Sequence, residues 1–87
     1  MKQWVVYLLE CVDGTFYCGI SNDLKKRLKT HNSGKGAKYT RGRLPVTLRC
    51  FRAVGGRGEA LRLEIRVKWT RKDRKELVLT GGLPEVG

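Results

Sequence analysis

The chain has 87 residues, 40% of them hydrophobic, which is enough for one small domain with a single core and too little for two. Nineteen Lys and Arg residues against eight Asp and Glu residues give a formal net charge of +11, which predicts a polyanionic partner, most simply a nucleic acid. The apolar run ending at Glu10 is too short to span a membrane, and three irregularly spaced cysteines indicate buried thiols in an intracellular, cytoplasmic protein rather than a zinc site.

The first predicted elements are two strands joined by a tight turn. Residues 4–11 are rich in β-branched and aromatic side chains and are apolar on both faces, which predicts a central strand. The Asp13-Gly14 pair favours a hairpin turn, and residues 15–20 are the expected partner strand. Gly19 is unusual inside a strand and indicates a point of close backbone approach.

A helix follows, with Ser21 or Asn22 as its predicted cap and its end near residues 32–34, where Asn, Ser and Gly follow one another. The next segment, residues 34–43, is a basic, glycine-rich loop. Its ten residues exceed a typical connection, which favours a functional role over that of a solvated connector. Its lysines suit contacts to a nucleic-acid backbone, and Tyr39 suits stacking on a base.

The remainder predicts one strand and two helices. Residues 46–54 alternate in character and form the third strand, followed by a helix over residues 59–70. A charge-dense third helix is predicted over residues 71–79, and its residues 71–76 are expected to form an exposed face with some electrostatic attraction to DNA. The predicted fold is α+β, a small three-stranded antiparallel sheet flanked by helices in the order β-β-α-β-α-α. Residues 1–80 form this domain and residues 81–87 a flexible C-terminal tail.

Five side chains stand at places that suit chemistry. Tyr7 and Tyr17 lie in adjacent strands, and Arg27 and His31 lie four residues apart, hence on one face of the first helix. Glu64 lies in mid-helix among apolar neighbours, which is unusual for an unpaired carboxylate. Each also has an ordinary explanation: sheet aromatics, a solvated arginine, a histidine favoured by the helix dipole, and an ion pair with the lysine four residues after Glu64.

Taken in chain order, these residues resemble the motifs of the GIY-YIG endonuclease family. Val5-Val6-Tyr7 corresponds to the first motif, which ends in tyrosine, and Tyr17-Cys18-Gly19 corresponds to the second. An Asn-Asp-Leu step then leads to a helix carrying Arg27, and the helix around Glu64 matches the family's glutamate helix. The basic loop is similar to that of small stand-alone bacterial members. The resemblance extends over about residues 4–79.

The resemblance implies a metal-dependent endonuclease that hydrolyses DNA phosphodiester bonds, acting on branched, flapped or single-stranded forms with little sequence specificity. It implies that Glu64 holds a divalent cation, Mg²⁺ or Mn²⁺, and that Arg27 grips the scissile phosphate. Tyr7 would orient or deprotonate the attacking water with help from Tyr17. Because a free tyrosine is a poor base at neutral pH, we expect cationic neighbours to favour its phenolate, or His31 to shuttle the proton. The residues expected to contact nucleic acid are Gly19, Lys26, Lys35, Lys38, Tyr39 and Arg41.

Two other interpretations remain open. The first motif lacks its Gly and Ile, and no asparagine follows Asn32, although many family members carry one after the glutamate helix. These departures favour the alternative of a catalytically weak or inactive nucleic-acid-binding module on the same fold. A basic protein associated with RNA or the ribosome is the third interpretation.

Overall fold

The computed structural model describes residues 3–81, and they form a three-stranded antiparallel sheet with helices on both faces. The elements in chain order are β1 (Trp4–Glu10), β2 (Phe16–Ser21), α1 (Leu24–Asn32), α2 (Lys38–Arg41), β3 (Thr47–Val54), α3 (Arg57–Lys68), a 3-10 turn (Lys72–Arg74) and α4 (Lys75–Thr80). The predicted α+β class and element order are confirmed. The single-turn helix α2 forms inside the predicted basic loop, and residues 82–87 of the predicted tail lie outside the described residues.

The sheet has the order β2-β1-β3, so β1 is central and β2 is an edge strand. Both neighbours pair with β1 in antiparallel fashion, and Tyr7 of β1 lies opposite Gly19 of β2. Residues Val5 to Leu9 are all buried, as expected for a strand that is apolar on both faces.

Alternate residues of the strands contribute to two separate cores. On one face, α3 and α4 cover a cluster whose buried members are Val6, Leu8, Cys18, Ala60, Leu63, Val67 and Leu79. On the other face, the leucines of α1 pack on a cluster whose buried members are Tyr7, Leu9, Cys11 and Val46. The two tyrosines of interest therefore share the α1 face, whereas α3 covers the opposite one.

The N-terminal cap of α1 differs from the predicted one. The cap is Asp23, whose carboxylate accepts a hydrogen bond from the backbone N–H of Lys26 at 3.2 Å. The Ser21 hydroxyl oxygen instead accepts from the backbone N–H of Asp23. Ser21 thus shapes the turn before the helix, and the helix begins later than the sequence pattern indicated.

The predicted third helix, residues 71–79, is not continuous; within its expected exposed face, residues 71–74 are exposed and residues 75–76 are partly buried. It is split into the 3-10 turn and α4, and Leu79 of α4 is fully buried against the sheet. The ammonium group of Lys75 donates to the carbonyls of Val67 and Lys68, which satisfies acceptors at the end of α3. The segment is thus exposed at its charged start and contributes a buried leucine to the core near its end.

Asn32 joins the end of α1 to the start of β3. Its amide nitrogen donates to the carbonyl of Val46 at 3.1 Å, and its amide oxygen accepts from the Val46 N–H at 2.8 Å. These two hydrogen bonds hold the start of β3 close to the end of α1. The basic loop that connects α1 to β3 therefore folds against the helix. None of the described helices combines the length and apolar character that crossing a membrane requires.

The cysteines are thiols, as predicted. Cys11 and Cys18 are buried, and Cys50 is partly buried. Burial raises the pKa of Cys18 to about 12, so this thiol remains protonated at neutral pH.

Candidate active site

The phenol of Tyr7 lies across the backbone of the edge strand. Only 1% of Tyr7 is exposed, and a Cβ atom placed on Gly19 would lie 2.5 Å from its hydroxyl oxygen. Any larger residue at position 19 would collide with the phenol. The close approach predicted at Gly19 is therefore an approach by the Tyr7 ring; a contact between Gly19 and nucleic acid remains a prediction.

Two side chains of α1 meet the Tyr7 hydroxyl. The Nε2 atom of His31 lies 3.0 Å from the Tyr7 oxygen, and Nε of Arg27 donates to the same oxygen at 3.5 Å. Arg27 and His31 are one helical turn apart, so both point from α1 toward β1, as their spacing indicated.

The direction of each hydrogen bond follows from Thr40 of α2. Its hydroxyl donates its single hydrogen to the Ala37 carbonyl at 2.9 Å, so the oxygen can only accept from the Nδ1–H of His31, 3.0 Å away. A neutral imidazole protonated at Nδ1 has a bare Nε2. The Tyr7 hydroxyl therefore donates to His31, and its oxygen accepts from Arg27.

Burial is the main determinant of the protonation states of His31 and Tyr7. It is the main cause that lowers the pKa of His31, assisted by the nearby Arg27 charge, so the imidazole is neutral at pH 7. Burial also raises the pKa of Tyr7 and outweighs the Arg27 hydrogen bond, which lowers it. The expectation that cationic neighbours favour the Tyr7 phenolate is wrong, and so is the dipole explanation of His31, which requires an imidazolium.

The basic loop, residues 34–43, packs over the imidazole of His31. A Cβ atom on Gly36 would lie 2.5 Å from Nδ1 of His31 and 2.8 Å from its Cα, so the loop backbone packs directly on the imidazole. Gly36 and Thr40 are both buried, and sequence analysis identified neither as part of the site. A glycine four residues before a threonine in a basic loop is too common a pattern to predict that the loop packs over a histidine.

Tyr17 connects the buried chain to an open cavity. Its ring centroid lies 5.3 Å from that of His31, 6.4 Å from that of Tyr7 and 5.9 Å from that of Tyr39. The cavity measures about 320 Å³, and its lining residues are Phe16, Tyr17, Cys18, Tyr39, Lys68 and Lys75. Two lysines and two tyrosines among the lining residues make this a suitable place for an anionic ligand.

Glu64 approaches the same edge strand from the other face of the sheet. Its side chain is 15% exposed and pairs with Lys68 at 3.4 Å, so the ordinary ion-pair explanation is confirmed. Lys68 lines the cavity beside Tyr17, and the Glu64 charge acts on Cys18 of β2. Tyr7, Tyr17, Arg27 and His31 thus form one contact cluster, whereas Glu64 lies on α3, the helix that packs on the other face of the sheet.

The residues expected to bind nucleic acid are mostly at the surface. Lys26, Lys35, Lys38 and Arg41 are exposed, although Nε of Arg41 also donates to the Gly36 carbonyl at 3.4 Å. Tyr39 is 40% exposed. The Arg43 guanidinium lies 4.2 Å from the ring centroid of Tyr39, so one face of this predicted stacking platform is already covered.

The donor set suits a weakly held divalent cation. No group of three or more His, Cys, Asp or Glu side chains that could hold an ion occurs among residues 3–81. Magnesium is commonly held by one or two carboxylates together with water and substrate phosphates. Glu64 alone therefore fits an ion shared with a bound phosphodiester, but not a permanent protein-only centre.

Comparison with known proteins gives a consistent family. Residues 3–76 match the family model of the GIY-YIG catalytic domain. The chain is 51% identical over 74 residues to the UPF0213 protein of Nitratidesulfovibrio vulgaris, a match covering 85% of this chain and 67% of that protein. It is 49% identical over 71 residues to a UPF0213 protein of Halobacterium salinarum, covering 82% of this chain and 92% of that relative.

Two solved structures share the fold. The solution NMR structure of the UPF0213 protein of Bacillus halodurans has 45% sequence identity and a TM-score of 0.55, over 90% of this chain and 83% of that one. The solution NMR structure of a protein of E. faecalis has 37% identity and a TM-score of 0.62, over 100% of this chain and 94% of that one.

Proposed function

This chain belongs to the GIY-YIG family of nucleases, and from that premise we propose that it is a divalent-metal-dependent endonuclease hydrolysing DNA phosphodiester bonds at the β2 edge of its sheet. The observation that carries the proposal is the hydrogen-bond chain from Arg27 through Tyr7 to His31. These hydrogen bonds join Arg27, the proposed phosphate-binding group, to His31, the proposed proton acceptor, beside an open cavity lined by two lysines.

Hydrolysis requires that the attacking water lose a proton. Tyr7 does not carry a phenolate at rest, because burial raises its pKa. Its oxygen can nevertheless take a proton from water while its own hydrogen passes to Nε2 of His31, 3.0 Å away. His31 then becomes an imidazolium whose Nδ1–H is still held by Thr40. Tyr7 is thus a relay and His31 the acceptor.

Arg27 would bind the scissile phosphate and open the relay. The hydrogen bond to Tyr7 is the main cause that raises the pKa of Arg27, so the guanidinium remains charged. At 3.5 Å this bond is at the limit of hydrogen-bond length and is the weakest link of the chain. When the planar guanidinium turns to a phosphate, the Tyr7 oxygen loses its donor and becomes available to a water held near Tyr17.

Glu64 would hold the cation, Mg²⁺ or Mn²⁺, which when bound polarises a phosphate oxygen and stabilises the leaving group. Lys68 already pairs with this carboxylate, so its ammonium competes with the cation. Because Lys68 also lines the cavity, a bound phosphate would attract it away from Glu64.

The exposed lysines would supply backbone contacts without reading sequence. We assign this role to Lys26, Lys35, Lys38 and Arg41, with Tyr39 at the mouth of the cavity. Because contacts to phosphates carry no sequence information, the proposal includes little sequence specificity.

One observation favours the alternative of binding without cleavage: the Glu64 carboxylate is already neutralised by Lys68. Labelled plasmid, flap and single-stranded DNA, incubated with Mg²⁺, Mn²⁺ or chelator, separate the two functions. The endonuclease proposal predicts metal-dependent nicking that Glu64→Gln reduces by at least about 100-fold while DNA binding persists. Salt-sensitive binding with no metal-dependent nicking by the wild type would support the binding module instead.

A further inference from the structure

A second surface combines positive charge with an exposed aromatic ring. Arg52 of β3 and Arg62 and Arg66 of α3 are exposed and line an open groove of about 300 Å³. We call it the arginine groove; its other lining residues are Val54, Glu59 and Leu63. None of its features takes part in the candidate active site.

The arginine groove lies at the opposite edge of the sheet from the catalytic residues. Helix α3 buries Ala60, Leu63 and Val67 against the sheet. Because successive residues of a helix are rotated by 100°, the residues on either side of this buried stripe form two separate flanks. Glu64 and Lys68 occupy the flank toward β2. Arg62 and Arg66 occupy the flank toward β3, where they meet Arg52. The two edges are two strand spacings apart, about 10 Å.

The charge of the groove is not neutralised within the described part of the chain. Within residues 3–81, the guanidinium groups of Arg52, Arg62 and Arg66 have no ion pair and no hydrogen bond. The one carboxylate in the groove, Glu59, accepts a hydrogen bond from the Gly55 N–H at 3.3 Å. Three guanidinium groups against one carboxylate leave a net positive site suited to phosphate oxygens.

Trp69 lies next to the arginine groove on the surface of α3. It keeps helical dihedral angles at the end of α3, so Arg62, Arg66 and Trp69 follow one another at four- and three-residue spacing along one side of the helix. The indole is 88% exposed, the highest value among the large hydrophobic residues exposed in the described chain. Exposure of a single indole is ordinary, but an indole that continues a row of guanidinium groups without partners offers a flat face on which a base can stack while the arginines hold its phosphates.

We propose that the arginine groove and Trp69 bind a segment of single-stranded nucleic acid, with the guanidinium groups on its phosphates and the indole stacked on an unpaired base. A duplex offers no free base face to Trp69, and this is why the single strand is chosen. The proposal shares with the proposed function only the premise that the partner is nucleic acid. If both hold, one substrate reaches both edges of the sheet, which favours flapped or branched DNA.

Fluorescence of Trp69 tests the stacking contact without any cleavage. The chain has two tryptophans, so a Trp4→Phe variant reports on Trp69 alone. In chelator and low salt, a 12-residue oligo-dT should quench this emission, and an abasic phosphate polymer of equal length should quench it much less. Trp69→Ala in the wild-type background should weaken oligo-dT binding by about tenfold. Equal quenching by the two polymers, or unchanged affinity, would overturn the proposal.

Salt dependence tests the arginines. Arg66→Gln should lower the slope of log affinity against log salt for oligo-dT by about 0.7, the value of one single-strand phosphate contact. Arg74→Gln is the charge-matched control, since Arg74 is exposed and lies outside the groove. Arg74→Gln should lower the slope and affinity distinctly less, and equal effects of the two variants would contradict a specific site.

The two proposals fail separately. Quenching at Trp69 together with no metal-dependent cleavage by the wild type would contradict the endonuclease and support the groove. Cleavage by the wild type together with no quenching by oligo-dT would overturn the groove and leave the endonuclease supported.

Discussion

The hydroxyl of Tyr7 donates a hydrogen bond to Nε2 of His31 at 3.0 Å, and the direction of this bond is set on the far side of the imidazole by Thr40. In the proposed mechanism, this buried phenol and buried, neutral imidazole form the path along which the proton of the attacking water leaves. The proposed catalytic mechanism depends on this hydrogen bond.

The pH profile of cleavage distinguishes the relay from a resting phenolate. His31 must be neutral to accept the proton, and its pKa is lowered below its usual 6.5, so the rate should fall only below pH 6.5. Above that, the rate with Mg²⁺ should be flat to pH 9, because Tyr7 reacts from its protonated form and its pKa is raised. A direct phenolate mechanism would instead give about tenfold more activity per pH unit over this range. Single-turnover rates from pH 5.5 to 9 decide between the two.

The lowered pKa of His31 also affects stability, and the sign can be stated. A folded-state pKa below the unfolded value means that the unfolded chain binds more protons as the pH falls through 6.5. The contribution of His31 is therefore fully present above pH 6.5 and is lost as the pH falls through the folded-state pKa. Urea unfolding should show this loss in the wild type, and a His31→Gln variant should not show it. A loss of the same size in both would contradict a neutral buried imidazole.

Thr40→Val tests the residue that sets the tautomer. Valine matches the shape of threonine but leaves the buried Nδ1–H of His31 without an acceptor, which should destabilise the fold by about 1–3 kcal/mol. It should also slow cleavage, since the imidazole can then turn its proton toward Tyr7. Thr40→Ser keeps the hydroxyl and is the control: it should retain most of the activity. Equal activity of Val and Ser variants at equal folded fraction would remove Thr40 from the mechanism.

Gly19→Ala tests the fit of the phenol against the edge strand. The added Cβ would lie 2.5 Å from the Tyr7 hydroxyl oxygen, so either the ring or β2 must move, at a cost of about 1–3 kcal/mol in the free energy of unfolding. Gly58→Ala in α3 is the matched control, because its Cβ meets nothing closer than 3.6 Å, and alanine should slightly stabilise the helix. Chemical denaturation of the two variants measures the difference. Equal stabilities would mean that the phenol is not held where the structure has it.

Local patterns account for much of what the sequence predicted. The strands follow from β-branched and aromatic runs around Asp13-Gly14, and the convergence of Arg27 and His31 follows from their four-residue spacing. The GIY-YIG motif order also located both tyrosines in adjacent strands. These are features in which neighbouring residues determine the geometry.

The features that were missed depend on contacts between distant segments. The Thr40–His31 bond requires the basic loop to fold back on α1, and the Asn32–Val46 hydrogen bonds that bring it there have no sequence signature. The pKa direction of Tyr7 was predicted wrongly because it depends on how deeply the sheet buries the ring, which charge counting along the chain does not reveal. The burial of Leu79 likewise depends on packing against the sheet, which the local sequence does not reveal.

The most direct test is the ¹⁵N NMR spectrum of the imidazole at pH 7, which is unambiguous because the chain contains a single histidine. The account predicts a neutral ring with its proton on Nδ1 and a bare Nε2 that accepts from Tyr7, together with a marked Nε2 shift in a Tyr7→Phe variant. A ring protonated at Nε2, or on both nitrogens, would contradict it, because Tyr7 would then have no acceptor for its proton.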